Sequence, residues 1–170
     1  MAMRTRTVSW EDPEEAGKKI FGMPGLEAVQ AMFRGEVPIP PMGELLGFES
    51  VEAEEGRAVL AVEPAEFHSN TAGITHGGLA AALIDAAITT AVLTTLPGET
   101  VHRTIDLAIH FIQPLHIGRG KYFAEGTVIH RGRTAATATG VITDADGKLC
   151  VHATGTCLIK KIDLTPPDSR

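Results

Sequence analysis

Asn70, His76, Gly77, Gly78 and Asp85 fall within one short stretch, NTAGITHGGLAAALID, and these are the residue types that could act together on a carbonyl. From Leu79 to Leu96 the only charged side chain is Asp85. Burying a lone carboxylate is costly, so such a group has a specific partner or a specific use. A carboxylate can take a proton from water or attack an electrophilic carbon itself. The competing reading is a structural Asp that hydrogen-bonds a strand or caps a turn.

A helix is expected to start at Thr75 or His76, and Gly77 and Gly78 then leave its first N–H groups without side-chain cover. Those N–H groups lack intrahelical acceptors and sit at the positive end of the helix dipole. A carbonyl oxygen or a phosphate can approach them closely, which is the physical content of an oxyanion hole or an anion site. Glycines at a helix start can also merely relieve crowding against a strand.

Spacing adds a constraint. At ~1.5 Å and ~100° per residue, Asp85 lies on nearly the same face as Gly78 but ~10 Å further along, and ~13 Å from His76. A single ester or thioester group cannot touch both ends of that span in one chain. If both act on one carbonyl, a second subunit must contribute one of them. Two such helices running antiparallel about a two-fold axis would do so.

The rest of the chain must position this helix. At 170 residues with 44% hydrophobic content and a mean hydropathy of +0.08, it reads as one compact domain. The net charge of −6 argues against nonspecific nucleic-acid binding. Cys150 and Cys157 are too few for a disulfide framework. Seven residues apart on one predicted strand, they are expected on opposite faces. The N-terminus has no apolar signal core, and the apolar helix, interrupted by Asp85 and several Thr, is short for a bilayer. A cytoplasmic protein with no membrane partner is the expectation.

Residues 1–24 read as polar and extended or poorly ordered, with a short helix over 26–33 and a stiff link at PIPPM. Strands are predicted at 45–54 and 57–63, turning at Glu55-Gly56. The long helix covers 76–95, apolar round nearly its whole circumference, with abundant Ala to let strands curl closely. Four further strands are expected at 101–114, 119–130, 133–144 and 148–160. One helix among antiparallel strands indicates an α+β fold.

Asn70, Gly73, His76-Gly77-Gly78 and Asp85, followed by TIDLAIHFIQP from Thr104 to Pro114, resemble the hotdog-fold acyl-CoA thioesterases of the phenylacetate-degradation (PaaI-like) type. The resemblance spans about residues 42–161. It implies a hotdog fold, a long central helix wrapped by a curved antiparallel sheet of five to six strands, with residues 1–41 an N-terminal extension and 162–170 a tail. It implies a homodimer or homotetramer whose sites lie at subunit interfaces.

Within that resemblance Asp85 is the nucleophile or general base for thioester hydrolysis, and the Gly77 N–H polarises the carbonyl. Asn70 orients the carbonyl, the water or Asp85 of the other chain, unless it only makes an Asx turn. His76 fixes the loop or contacts the thioester; a helix N-terminus disfavours its protonation, so it is not the main acid. Thr104 matches the family's Ser or Thr after the helix and is a candidate to bind attacking water. Gly78 is a candidate substrate contact, and Arg131 and Arg133 are candidates for the coenzyme A phosphates. No cofactor is implied, coenzyme A being part of the substrate. The dispersed His residues show no metal-ligand spacing. Rival readings are a hotdog hydratase or dehydratase and a non-catalytic acyl-CoA sensor.

Overall fold

In a computed structural model, which describes residues 2–162, a six-stranded antiparallel sheet wraps the long helix α4, Gly77–Thr94. The strands are β1 (Phe48–Glu54), β2 (Arg57–Val62), β3 (Thr100–Phe111), β4 (Tyr122–Arg131), β5 (Ala135–Thr143) and β6 (Leu149–Lys161). Their order is β1-β2-β4-β5-β6-β3, which leaves β1 and β3 at the edges. This is the α+β hotdog architecture. The expected C-terminal tail, apart from residue 162, lies outside the described residues.

The core forms where α4 meets the sheet. Leu83, Ile84, Ala87, Ile88, Ala91 and Val92 are fully buried on the helix, against alternating residues such as Ala124, Ile142 and Val151. Removing this much apolar surface from water is the main favourable contribution to the fold. The helix and sheet come very close: a Cβ on Gly126 of β4 would lie 2.3 Å from the Ala87 carbonyl oxygen. Only glycine fits there. By length and hydropathy α4 could cross a bilayer, but half of it is buried inside this protein, so the same composition serves a core helix.

Three expectations are corrected. Residues 13–20 are helical, not extended: α1 (Pro13–Ile20) begins with Pro at its first turn, and the Asp12 carboxylate caps it by accepting from Glu14 N–H at 2.8 Å. Residues 2–12 carry no regular structure but are tied down, with Arg4 paired to Glu66 and Arg6 stacked 3.8 Å over the Phe67 ring. The stretch from Pro41 is a short helix, α3 (Pro41–Leu46), so β1 starts at Phe48. Proline's fixed φ suits a first helical turn, and Gly47 at φ +70° ends it. Finally, Cys150 and Cys157 are both free and buried. Cys150 is passed over in the pairing of Ile142 with Val151 and Thr143 with Leu149, and this bulge breaks the alternation.

The expected helix over 26–33 is α2 (Gly25–Phe33), and it docks on the end of α4. Gly25 N–H donates to the Leu96 carbonyl at 2.8 Å, and a Cβ on Gly25 would lie 1.8 Å from the Leu93 oxygen.

Candidate active site

Two cavities flank α4; Asp85 lines one and Asn70, His76 and Gly77 line the other, while Gly78, Thr104, Arg131 and Arg133 line neither. The first, about 410 Å³, lies beside the middle of the helix and holds Asp85, Ala86 and Thr89 with His102 of β3. The second, about 310 Å³, lies at the helix N-terminus and holds Asn70, Thr75, His76 and Gly77, with Phe111 to Leu115 opposite. Gly77 and Asp85 are separated along one helix by about 12 Å of axial rise. The two groups therefore do not converge within a protomer.

Asp85 is anchored by β3. The Thr104 hydroxyl donates to Asp85 Oδ1 at 2.7 Å. Hydrogen bonds to an ionised acceptor are the strong ones, and this one fixes the carboxylate's orientation. Oδ2 has no hydrogen-bond partner among the described residues. Thr104 thus serves the carboxylate directly, which the sequence did not disclose.

His102 was not singled out, although it sits two residues from Thr104 on β3 and therefore on the same strand face. Burial pushes its imidazole below the ordinary value; the Thr89 carbonyl and the Asp85 charge partly offset this. It is a neutral ring at neutral pH. Behind Thr104, its cross-strand partner Cys157 is fully buried. Burial raises the Cys157 thiol, and the Asp85 charge raises it further, against a lowering hydrogen bond from Thr104. It stays protonated, and a thiol is a poor nucleophile.

At the other cavity, His76 is the N-cap of α4, and its Nδ1 accepts from the Gly78 N–H at 2.9 Å. An accepting Nδ1 leaves the ring proton on Nε2, a tautomer inferred from this bond. The Gly78 N–H is occupied by this cap, and a Cβ there would lie 3.0 Å from His76 Nδ1. The Gly77 N–H has no acceptor among the described residues, and Gly77 lines the cavity.

Asn70 makes the Asx turn. Its Oδ1 accepts from Ala72 N–H at 2.9 Å and more weakly from Ile74 N–H at 3.4 Å. Those two donors fix the amide orientation, so the NH₂ end is the one left for another partner. Thr75 is buried with an unpaired hydroxyl in the same cavity. Arg131 and Arg133 sit exposed at the β4–β5 hairpin and line neither cavity. Among the described residues no group of three or more His, Cys, Asp or Glu side chains is arranged to hold a metal ion.

Residues 72–151 match the Thioesterase superfamily profile. The chain is 31% identical over 116 residues to SSO2140 of Saccharolobus solfataricus, which carries an esterase name, covering 68% of this chain and 81% of that one. It is 33% identical over 103 residues to human acyl-coenzyme A thioesterase 13, covering 58% and 70%. Among solved structures, a phenylacetic acid degradation-related protein of Ralstonia eutropha superposes with a TM-score of 0.70 at 26% identity, over 76% of this chain and 98% of that one. With its sheet-wrapped helix, its lone carboxylate and these relatives, the chain belongs to the thioesterase superfamily, as a PaaI-like hotdog protein.

Proposed function

We propose that the protein hydrolyses acyl-CoA thioesters in sites shared between two subunits. The observation that carries this reading is the Asp85 carboxylate held by Thr104 in an apolar cavity, while the open Gly77 amide faces a different one. Asp85 Oδ2 has two routes to the thioester carbon. It accepts a proton from a water molecule whose oxygen attacks, or it attacks directly and forms an anhydride that water then opens. In either route the carbonyl electron pair moves onto oxygen, and the partner subunit's Gly77 N–H stabilises that charge. Collapse expels the coenzyme A thiolate. The water route leaves the free acid at once, with the proton on Asp85 passing to the thiolate. The direct route leaves the anhydride, whose hydrolysis releases the acid and regenerates Asp85. The Asn70 amide and the neutral His102 are polar groups available to orient substrate or water.

The edge strand β3 supports the dimer. Val101, Ile105, Phe111 and Ile112 leave large apolar surfaces exposed along and just beyond it, and no strand among the described residues pairs with its outer edge. Such an edge is a template for pairing with a second copy. Phe111 also lines the cavity that holds Gly77, where an added Cβ would lie 3.5 Å from the Phe111 ring, so pairing along β3 would build directly onto the helix N-terminus. Coenzyme A enters as substrate, with Arg131 and Arg133 as the candidate phosphate contacts, and the reaction calls for no metal or cofactor. The cytoplasm is the compartment this reading assigns.

The test is thiol release from a panel of acyl-CoA thioesters by wild type and Asp85→Asn. The expected result is turnover of at least one thioester, reduced roughly 10²–10⁴-fold in the variant with binding retained. Binding without wild-type turnover would favour a sensor. Equal activity in both proteins would remove Asp85 from the mechanism.

A further inference from the structure

The cavity beside Asp85 is not built by the hotdog elements alone. One wall comes from residues 32–43, well upstream of the residues that match the superfamily profile. Met32 and Phe33 reach it from the end of α2, Ile39 and Pro40 from the segment that turns back, and Met42 from α3. The backbone of this wall is anchored. Gly25 is seated on the end of α4, and after the turn at Gly35 the Glu36 N–H closes on the Ala31 carbonyl at 2.9 Å while Val37 is buried. Its face toward the cavity is different in character: Met32 and Met42 are unbranched and flexible enough to adapt to an apolar occupant, beside the stiffer Phe33 and Ile39.

The wall is also thin. A second hollow of about 530 Å³ lies on its far side, lined by charged groups that include Glu11, Lys19, Glu36 and Glu44. The two hollows share Met32, Phe33, Ile39 and Phe48, with Glu49 and Ser50 of β1 at the same boundary. Those side chains are therefore a partition between an apolar cavity that ends at Asp85 and a polar one that opens elsewhere.

We infer that Met32, Phe33 and Ile39 close the distal end of the acyl cavity and set the longest acyl chain the enzyme accepts. This rests on the thioesterase reading and narrows it to a class of substrate. A volume of about 410 Å³ is near the small end of ligand cavities, which run from about 300 to 1,000 Å³. With an apolar lining and flexible side chains at its end, it suits an unbranched aliphatic acyl group of medium length. A long chain would have to pass the partition and enter the charged hollow.

The experiment measures kcat/KM along a saturated acyl-CoA series from acetyl to palmitoyl, plus phenylacetyl-CoA, for wild type, Met32→Ala and Met32→Trp. The wild type is expected to peak at a medium chain. Met32→Ala should move the peak to longer chains and Met32→Trp to shorter ones. Because each methylene admitted to or excluded from an apolar pocket changes kcat/KM by roughly tenfold or more, shifts of one or two carbons are resolvable. A melting temperature close to that of wild type shows that each variant is folded. An unshifted profile, a parallel loss at every length, or phenylacetyl-CoA as the preferred substrate of all three proteins would overturn this inference while leaving the thioesterase reading intact. No wild-type turnover of any thioester would overturn both.

Discussion

The Thr104 hydroxyl donates to Asp85 Oδ1 at 2.7 Å, tying edge strand β3 to the middle of α4. The bond occupies one carboxylate oxygen and leaves the other without a partner among the described residues.

Replacing Thr104 with Val should therefore cost activity more than stability. A hydrogen bond to a charged group is worth about 1.5–3 kcal/mol, so kcat/KM should fall roughly 10- to 100-fold. Thr104→Ser keeps the donor and should recover most of that loss. Steady-state kinetics on one good thioester decides it: Val and Ser variants of equal activity would mean that the bond does not position Asp85.

The proposed sharing of the site between subunits makes a sharper prediction. Gly77 is the first residue of α4, and His76 before it is extended at φ −64°, ψ 133°. Proline is well tolerated at that position and after such a residue, so Gly77→Pro removes the open N–H without breaking the helix. Activity should drop roughly 10²–10³-fold with little change in melting temperature. Mixing subunits of Gly77→Pro and Asp85→Asn should then restore activity. Half the dimers would carry one intact site of two, so about a quarter of wild-type turnover is expected after random exchange. No recovery in an exchanged mixture would mean that both groups act within one chain.

His102 sets an acid limit on stability. Its folded-state pKa lies below the ordinary 6.5 because it is buried, so the unfolded chain takes up the proton first as pH falls. Stability from this group is complete above the unfolded value and is lost as pH drops through it toward the folded value. His68, also lowered by burial, acts in the same direction. Urea midpoints compared at about pH 8 and about pH 5 should show the decline, and His102→Gln should shrink it. An identical pH dependence in the variant would rule out this contribution.

Arg131 and Arg133 lie outside both cavities, so their proposed role concerns the nucleotide end of the substrate alone. Converting both to Gln should raise KM for coenzyme A thioesters about tenfold, as expected for lost charge-assisted phosphate contacts. Turnover of a truncated thioester lacking the nucleotide should be unchanged. A parallel loss on both substrates would assign the arginines to folding instead.

Much of the site was legible in the chain because its signals are local. Two glycines after a capping residue mark a helix start wherever they fold, and a single Asp in an apolar run stands out without any tertiary information. The ~1.5 Å helical rise already separates Gly77 from Asp85. Strand alternation likewise placed β2 through β6 to within a few residues. The misread elements, α1 and α3, are short helices begun by proline, where local chemistry permits extension or helix and packing chooses between them.

What the sequence could not determine is which groups remain free. Gly77 and Gly78 look alike as residues, yet the His76 side chain folds back onto one N–H and leaves the other open. Thr104 as the partner of Asp85, His102 beside it, and the N-terminal wall over the cavity all depend on β3 and α2 packing against α4. Those contacts join residues distant in sequence. Composition and periodicity report which face of each element is buried, but only the packed structure decides what that face meets.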